Sequence, residues 1–244
     1  MISTTNMGFA RILSFALLLF AGAAIMAGEP GPRMLDFKPR ISGELFISTM
    51  QADGSPYLHD NWVKGDLVLK DGSVITQQDF RYNGYLDALI WRQPNTLQSV
   101  RADKDLVKQF MLYPPGADTM VFQNITIRPW YETSPLNIYA EIRYQGDISL
   151  VIHRRIRQTG ETLESRGARI ISRPRIEPDP VYYILMPDNE ARELRRLNRR
   201  ALSRLFPDNS AAIRSALRRE GIRIDNEADL LHAVAVIDQL LQED

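Results

Sequence analysis

The chain has 244 residues, with 30 Lys plus Arg against 30 Asp plus Glu, and it contains no Cys. That composition excludes disulfide staples, thiolate metal ligands, thiol catalysis and a lipid-modified Cys. Balanced charge gives no whole-chain attraction to nucleic acid, so stability has to come from a buried core, which a chain of this length can build.

Residues 1–27 read as a cleavable signal peptide. Arg11 is the only charge before Glu29, and an apolar run of 16 residues extends from Ile12 to Ala27. The run falls short of the roughly 20 residues that cross a bilayer. Small residues at Ala24 and Ala27 suit cleavage, and Gly28-Glu-Pro-Gly-Pro32 opens an extended linker over 28–40. These features predict an exported protein, periplasmic or secreted, with no stable transmembrane span after cleavage.

Residues 41–186 predict an antiparallel β domain. Trp62–Lys70 and Ser73–Thr76 flank Asp71-Gly72, while Phe80–Tyr82 and Tyr85–Trp91 flank Asn83-Gly84. Both dipeptides tolerate the positive φ of tight hairpin turns. Further strands are expected over 96–100, 106–112, 119–125, 138–144, 148–154, 169–172 and 181–186, spaced by turn residues. Tyr139–Tyr144 and Ser149–Arg154 alternate polar and apolar in part, the period of a half-buried strand. Residues 173–180 carry three prolines and read as an extended connector or sheet edge.

Residues 187–244 predict a helical C-terminal subdomain. Leu194, Leu197, Ala201 and Leu205 mark one helical face. A second helix, capped by Asp208 or Ser210 and ended by Gly221, turns Ile213, Ala216 and Leu217 inward. A third begins after Asp225 and Asn226 with the stripe Leu230, Val234, Ile237 and Leu241. The fold class is therefore α+β: an antiparallel meander, barrel or half-barrel, followed by a small helical region.

The sequence Trp62…Lys64-Gly65-x-Leu67-x-Leu69-x-Asp71-Gly72, then Phe80-Arg81-Tyr82-Asn83-x-x-x-Asp87-x-Leu89, Phe110-x-Leu112 and Phe122 resembles a group of exported β-rich proteins of Gram-negative bacteria. Tyr182-Tyr183 before a helical stretch extends the resemblance over most of residues 58–240. It implies the compartment and the β-plus-helix architecture. It implies no active site, because the group carries no established activity.

No residue pattern nominates catalysis, a cofactor or a metal. His59, His153 and His232 stand far apart without metal-ligand spacing. Nucleophile motifs and glycine-rich phosphate loops are missing. The strongest charged feature is an arginine series, Arg192, Arg195, Arg196, Arg199, Arg200 and Arg204, which on a helix shares one face. Such a face suits phosphate, lipid headgroups or an acidic partner. The competing expectation is neutralisation by the tail acids Asp225, Glu227, Asp229, Asp238, Glu243 and Asp244. A repeated Arg-Tyr-x-Gly, at Arg81-Tyr82 and Arg143-Tyr144, reads either as paired recognition turns or as ordinary strand ends.

Three functions follow in order of preference. The first is a non-enzymatic protein that binds an envelope protein or an anionic surface. The second is a carrier holding a lipid or apolar ligand in an open barrel lined by Phe80, Leu89, Trp91, Phe110, Leu112, Phe122 and Ile125. The third is a hydrolase whose site assembles only in three dimensions.

Overall fold

Alternating and continuous apolar runs build the strands β1 (Gly43–Leu45), β2 (Val63–Leu69), β3 (Val74–Asn83), β4 (Ala88–Arg92), β5 (Ser99–Ala102), β6 (Val107–Tyr113), β7 (Met120–Pro129), β8 (Leu136–Gln145), β9 (Ser149–His153), β10 (Ile156–Arg166), β11 (Arg169–Pro178), β12 (Val181–Leu185) and β13 (Glu190–Leu194). Three helices follow: α1 (Arg199–Ser203), α2 (Ser210–Arg219) and α3 (Glu227–Glu243). The computed structural model describes residues 41–243 apart from Trp130, Glu132, Ala168 and Asn189. The signal peptide and linker expected over 1–40 lie outside the described residues.

The first half is a meander in the spatial order β1-β5-β4-β3-β2-β6-β7. From β7 the sheet continues through β13, β12, β9 and β8, and β8 pairs back onto β7, which closes a barrel of five strands. Four of its ladders are antiparallel. The seam is a short parallel pairing of β13 with β7, in register at Glu190 with Arg128 and Ala191 with Pro129. Strands β10 and β11 form a separate two-stranded ribbon.

Strands β7 and β8 serve two cores because successive side chains point to opposite faces. Phe122 and Tyr139 face the meander, while Ile125, Ile127, Ile138, Ala140 and Ile142 face the barrel interior. In the meander core Phe110 stacks on Phe122 with ring centroids 4.7 Å apart, and Tyr139 meets Phe110 edge-on at 5.2 Å. Phe80, Leu89, Phe110, Leu112 and Phe122 are fully buried and Trp91 packs against them. The residues nominated to line an open cavity thus fill this space themselves, except Ile125, which belongs to the small barrel.

The outer face of β9, β12 and β13 is closed by helices. Leu150, Ile184 and Leu194 share one cluster with Leu202, Phe206, Ile213, Leu217, Leu230, Val234 and Ile237. The residues from 187 onward therefore share their core with the β domain. The helix expected across Leu194–Leu205 is instead strand β13 and the one-turn-long α1. Ala191 enters the barrel and Leu194 faces the helices, a period of two that the intervening Arg192 and Glu193 conceal in sequence. Strand β10 was not foreseen, because Arg157-Gln-Thr-Gly-Glu161 shows no apolar face to either period. Of the prolines of 173–180, Pro174 and Pro178 sit on its partner β11, in a ribbon where one edge of each strand needs no ladder, and Pro180 follows the strand.

Candidate functional site

The arginine series does not form one helical face. Arg192 lies on β13, where it bonds Glu190 and donates to the Leu205 carbonyl. Arg195 follows the strand, exposed, 3.4 Å from Glu193 and 5.4 Å from the Tyr131 ring centroid. Arg196 lies in the same connector, and Arg204 is the C-cap of α1. Only Arg199 and Arg200 are helical. The continuous helix fails because residues 190–194 are taken by the barrel.

Arg199 and Arg200 instead meet Arg214 and Arg218 of α2 around a concavity of about 450 Å³, closed at one side by Asn198. Local sequence builds this cleft. The Asn198 side chain accepts from the Ala201 amide at 2.8 Å and starts α1, which buries Leu202. In α2 Ile213, Ala216 and Leu217 face the core, so Arg214 and Arg218, four apart, share the solvent side. Arg214 donates to the Ser210 carbonyl at 3.1 Å, which leaves further donors of its guanidinium free to point elsewhere. Among the described residues no carboxylate forms an ion pair with Arg199, Arg200, Arg214 or Arg218. Arg214 and Arg218 were not singled out in sequence, although their spacing opposite Ile213 and Leu217 carries the signal.

Three acids of α3, Glu227, Asp229 and Asp238, are committed elsewhere. Glu227 receives two bonds from Arg154, at 2.6 and 2.8 Å, and one from the Tyr182 hydroxyl at 2.9 Å. Asp238, buried, accepts from Tyr144 and from the Ile148 amide, both at 2.8 Å. Asp229 accepts from the Asp225 amide at the start of the helix. Neutralisation of the arginines by these acids is therefore not what the fold provides. Burial raises the Glu227 carboxyl, but Arg154 and Tyr182 hold it below the ordinary carboxylate value. Burial and the bond to Glu227 push the Tyr182 hydroxyl up to about 12. Arg154 also bonds Glu141 at 2.5 Å, and Glu141, 1% exposed, is shared with Arg143 at 3.2 Å.

A second polar cluster surrounds Asp87, whose φ of 49° is left-handed. Asp87 accepts from Tyr82 at 2.7 Å and from Lys104 at 2.5 Å, and it faces the Tyr139 amide at 3.3 Å. His153 approaches it to 3.7 Å. Burial lowers the His153 pKa below the usual imidazole range, so the ring is neutral at pH 7. Asp87 and Lys104 border a cavity of about 440 Å³ with Glu44, Arg101 and Asp103. No serine hydroxyl bonds His153 among the described residues, so the pair lacks the nucleophile a triad needs. His59 is half-buried near Arg154 and Glu141, and burial lowers its pKa as well. His232 is exposed on α3. No group of three metal-ligating side chains occurs among the described residues.

The two Arg-Tyr-x-Gly segments do parallel structural work. Tyr82 ends on Asp87 and Tyr144 on Asp238. Arg81 lies between the Tyr57 and Trp62 rings, 5.1 and 4.7 Å from their centroids, and Arg143 bonds Glu141. Each glycine admits a close neighbour: a Cβ at Gly84 would stand 2.3 Å from the Arg154 carbonyl oxygen, and one at Gly146 2.0 Å from Asp238.

Compared with protein-family models, curated proteins and solved structures, the chain matches none.

Proposed function

We propose that this is an exported, non-enzymatic envelope protein that binds phosphate groups of an anionic surface in the cleft of Arg199, Arg200, Arg214 and Arg218. The observation that carries this reading is the absence, among the described residues, of any carboxylate pairing with these four side chains, while Glu227 and Asp238 of α3 are engaged elsewhere. Guanidinium groups offer planar donor pairs that match phosphate oxygens, and clustering them without counter-charges costs repulsion that a bound anion relieves.

The signal peptide expected over residues 1–27 supports work outside the cytoplasm. The resemblance to exported β-rich proteins of Gram-negative bacteria is in keeping with that setting. The carrier alternative finds little room: the concavity at the barrel mouth, lined by Ile125, Ile127, Val151 and Leu185 with Gln123 and Gln145, is about 220 Å³. Ligand sites commonly run roughly 300–1,000 Å³.

The test is co-sedimentation of the mature protein with phosphatidylglycerol-containing vesicles, against phosphatidylcholine alone, at low and high salt. Replacing Arg199, Arg214 and Arg218 together by Glu reduces binding by at least about tenfold, the loss of a few charge-assisted contacts. Equal binding of the wild type and the triple variant would overturn the proposal.

A further inference from the structure

The ribbon of β10 and β11 belongs to neither core over its outer half. Its base is anchored: Ile156 and Ile176 are buried, the Asp53 amide donates to Pro174, and the Ile176 amide donates to Asp53. Thr162 adds a side-chain bond to Asp53 at 2.6 Å. Beyond Thr162 the two strands pair only with each other, from Leu163 with Ser172 to Arg166 with Arg169.

The register puts Leu163, Ser165, Ile170 and Ser172 on one face, because paired residues and residues two apart share a side. Leu163 is 68% exposed and Ile170 74% exposed, so two large aliphatic side chains stand together in solvent. The opposite face carries Glu164, bridged to Arg173 at 3.1 Å, together with Arg169 and the half-buried Ile171. Over residues 163–173 the sequence carries Arg166, Arg169 and Arg173 against Glu164 alone, a net charge of +2.

We infer that the tip of this ribbon inserts Leu163 and Ile170 into the interface of a bilayer rich in anionic phospholipid. Two aliphatic side chains fall far short of the roughly 800 Å² per partner of a stable protein interface. They suffice for shallow insertion when flanking cations meet headgroup phosphates. Charge complementarity selects the anionic lipid, and the apolar pair selects a bilayer over a soluble polyanion. The inference deepens the function proposed above by adding a hydrophobic contact to the arginine cleft, and the two can fail separately.

The chain has no Cys, so Leu163→Cys gives a unique attachment point for an environment-sensitive fluorophore. Adding phosphatidylglycerol vesicles to the labelled mature protein produces a blue shift and an emission increase of several-fold, and phosphatidylcholine vesicles produce little. The same label on Val74→Cys, at an exposed hairpin position, stays unchanged. Leu163→Ser with Ile170→Ser lowers vesicle co-sedimentation about tenfold, while its thermal midpoint matches the wild type. An unchanged spectrum at position 163 while the protein co-sediments would overturn the insertion and leave the cleft standing. A concentration-dependent spectral change without vesicles would also overturn it, in favour of a second copy of the chain. Loss of binding in the cleft variant with the tip response retained at saturating lipid supports the tip on its own.

Discussion

Arg154 at the end of the barrel wall holds Glu227 on the first turn of α3 through two N–H···O bonds of 2.6 and 2.8 Å. The same guanidinium satisfies Glu141, which is 1% exposed, so one side chain neutralises both a buried strand carboxylate and the helix that covers it.

Arg154→Met therefore leaves Glu141 desolvated with only Arg143 beside it. The expected cost is about 3–5 kcal/mol, the range for breaking a buried charge pair from one side. Adding Glu141→Leu to the same chain recovers part of it, because a missing pair costs less than half a pair. Urea unfolding of the three proteins measures both. A single-variant loss below about 1 kcal/mol contradicts the shared role.

His153 and His59 bind protons more weakly in the fold than in the unfolded chain, both through burial. Below the ordinary imidazole pKa near 6.5 the unfolded state then takes up more protons, so stability falls as pH drops through that value. Glu227 works in the same direction lower down, because its depressed pKa contributes stability above the ordinary carboxylate range that is lost on acidification. Thermal midpoints taken from roughly pH 8 to pH 5 fall in the wild type, and the fall is shallower in His153→Asn. An identical slope in that variant removes His153 from the account.

Gly146→Ala puts a methyl group against the Asp238 carboxylate, which must then leave Tyr144 and the Ile148 amide. The expected loss is about 1–3 kcal/mol, the cost of an unsatisfied buried polar group. Gly160→Ala meets nothing within 4 Å and serves as the neutral comparison. Denaturant midpoints of the two variants separate if the close approach matters.

Phe110→Ala removes the ring stacked on Phe122 and in edge contact with Tyr139. A loss of about 3–5 kcal/mol is expected, since a well-packed site collapses only partly around the void. A ligand-filled interior would tolerate the change with a much smaller loss.

The β3–β4 connection runs over residues 84–87, with the left-handed φ at Asp87 and not at Asn83-Gly84, whereas the β2–β3 hairpin was legible from residues alone through Asp71-Gly72. So were α2 and α3, whose buried residues follow the helical period. Barrel closure was not, because the β7–β13 pairing joins residues about sixty positions apart through only two residue pairs. The cleft was half legible: Arg199 and Arg200 were named from the arginine series, while Arg214 and Arg218 come from a different helix. Local pattern locates each basic residue. Only the packing of α1 against α2 decides which of them share a concavity.

The seam between β13 and β7 also sets the order in which the molecule can become complete. Three barrel ladders join strands formed earlier in the chain, but the last stave, which pairs with both β12 and β7, enters only once residues 190–194 are available. A chain stopped short of residue 190 would leave one edge of β12 and the far end of β7 open. Such edges are templates for pairing with other molecules, and waiting for a distant strand slows the search for the native arrangement. The ribbon that precedes the seam thus lies inside a long loop whose ends must meet before the barrel can protect itself from its neighbours.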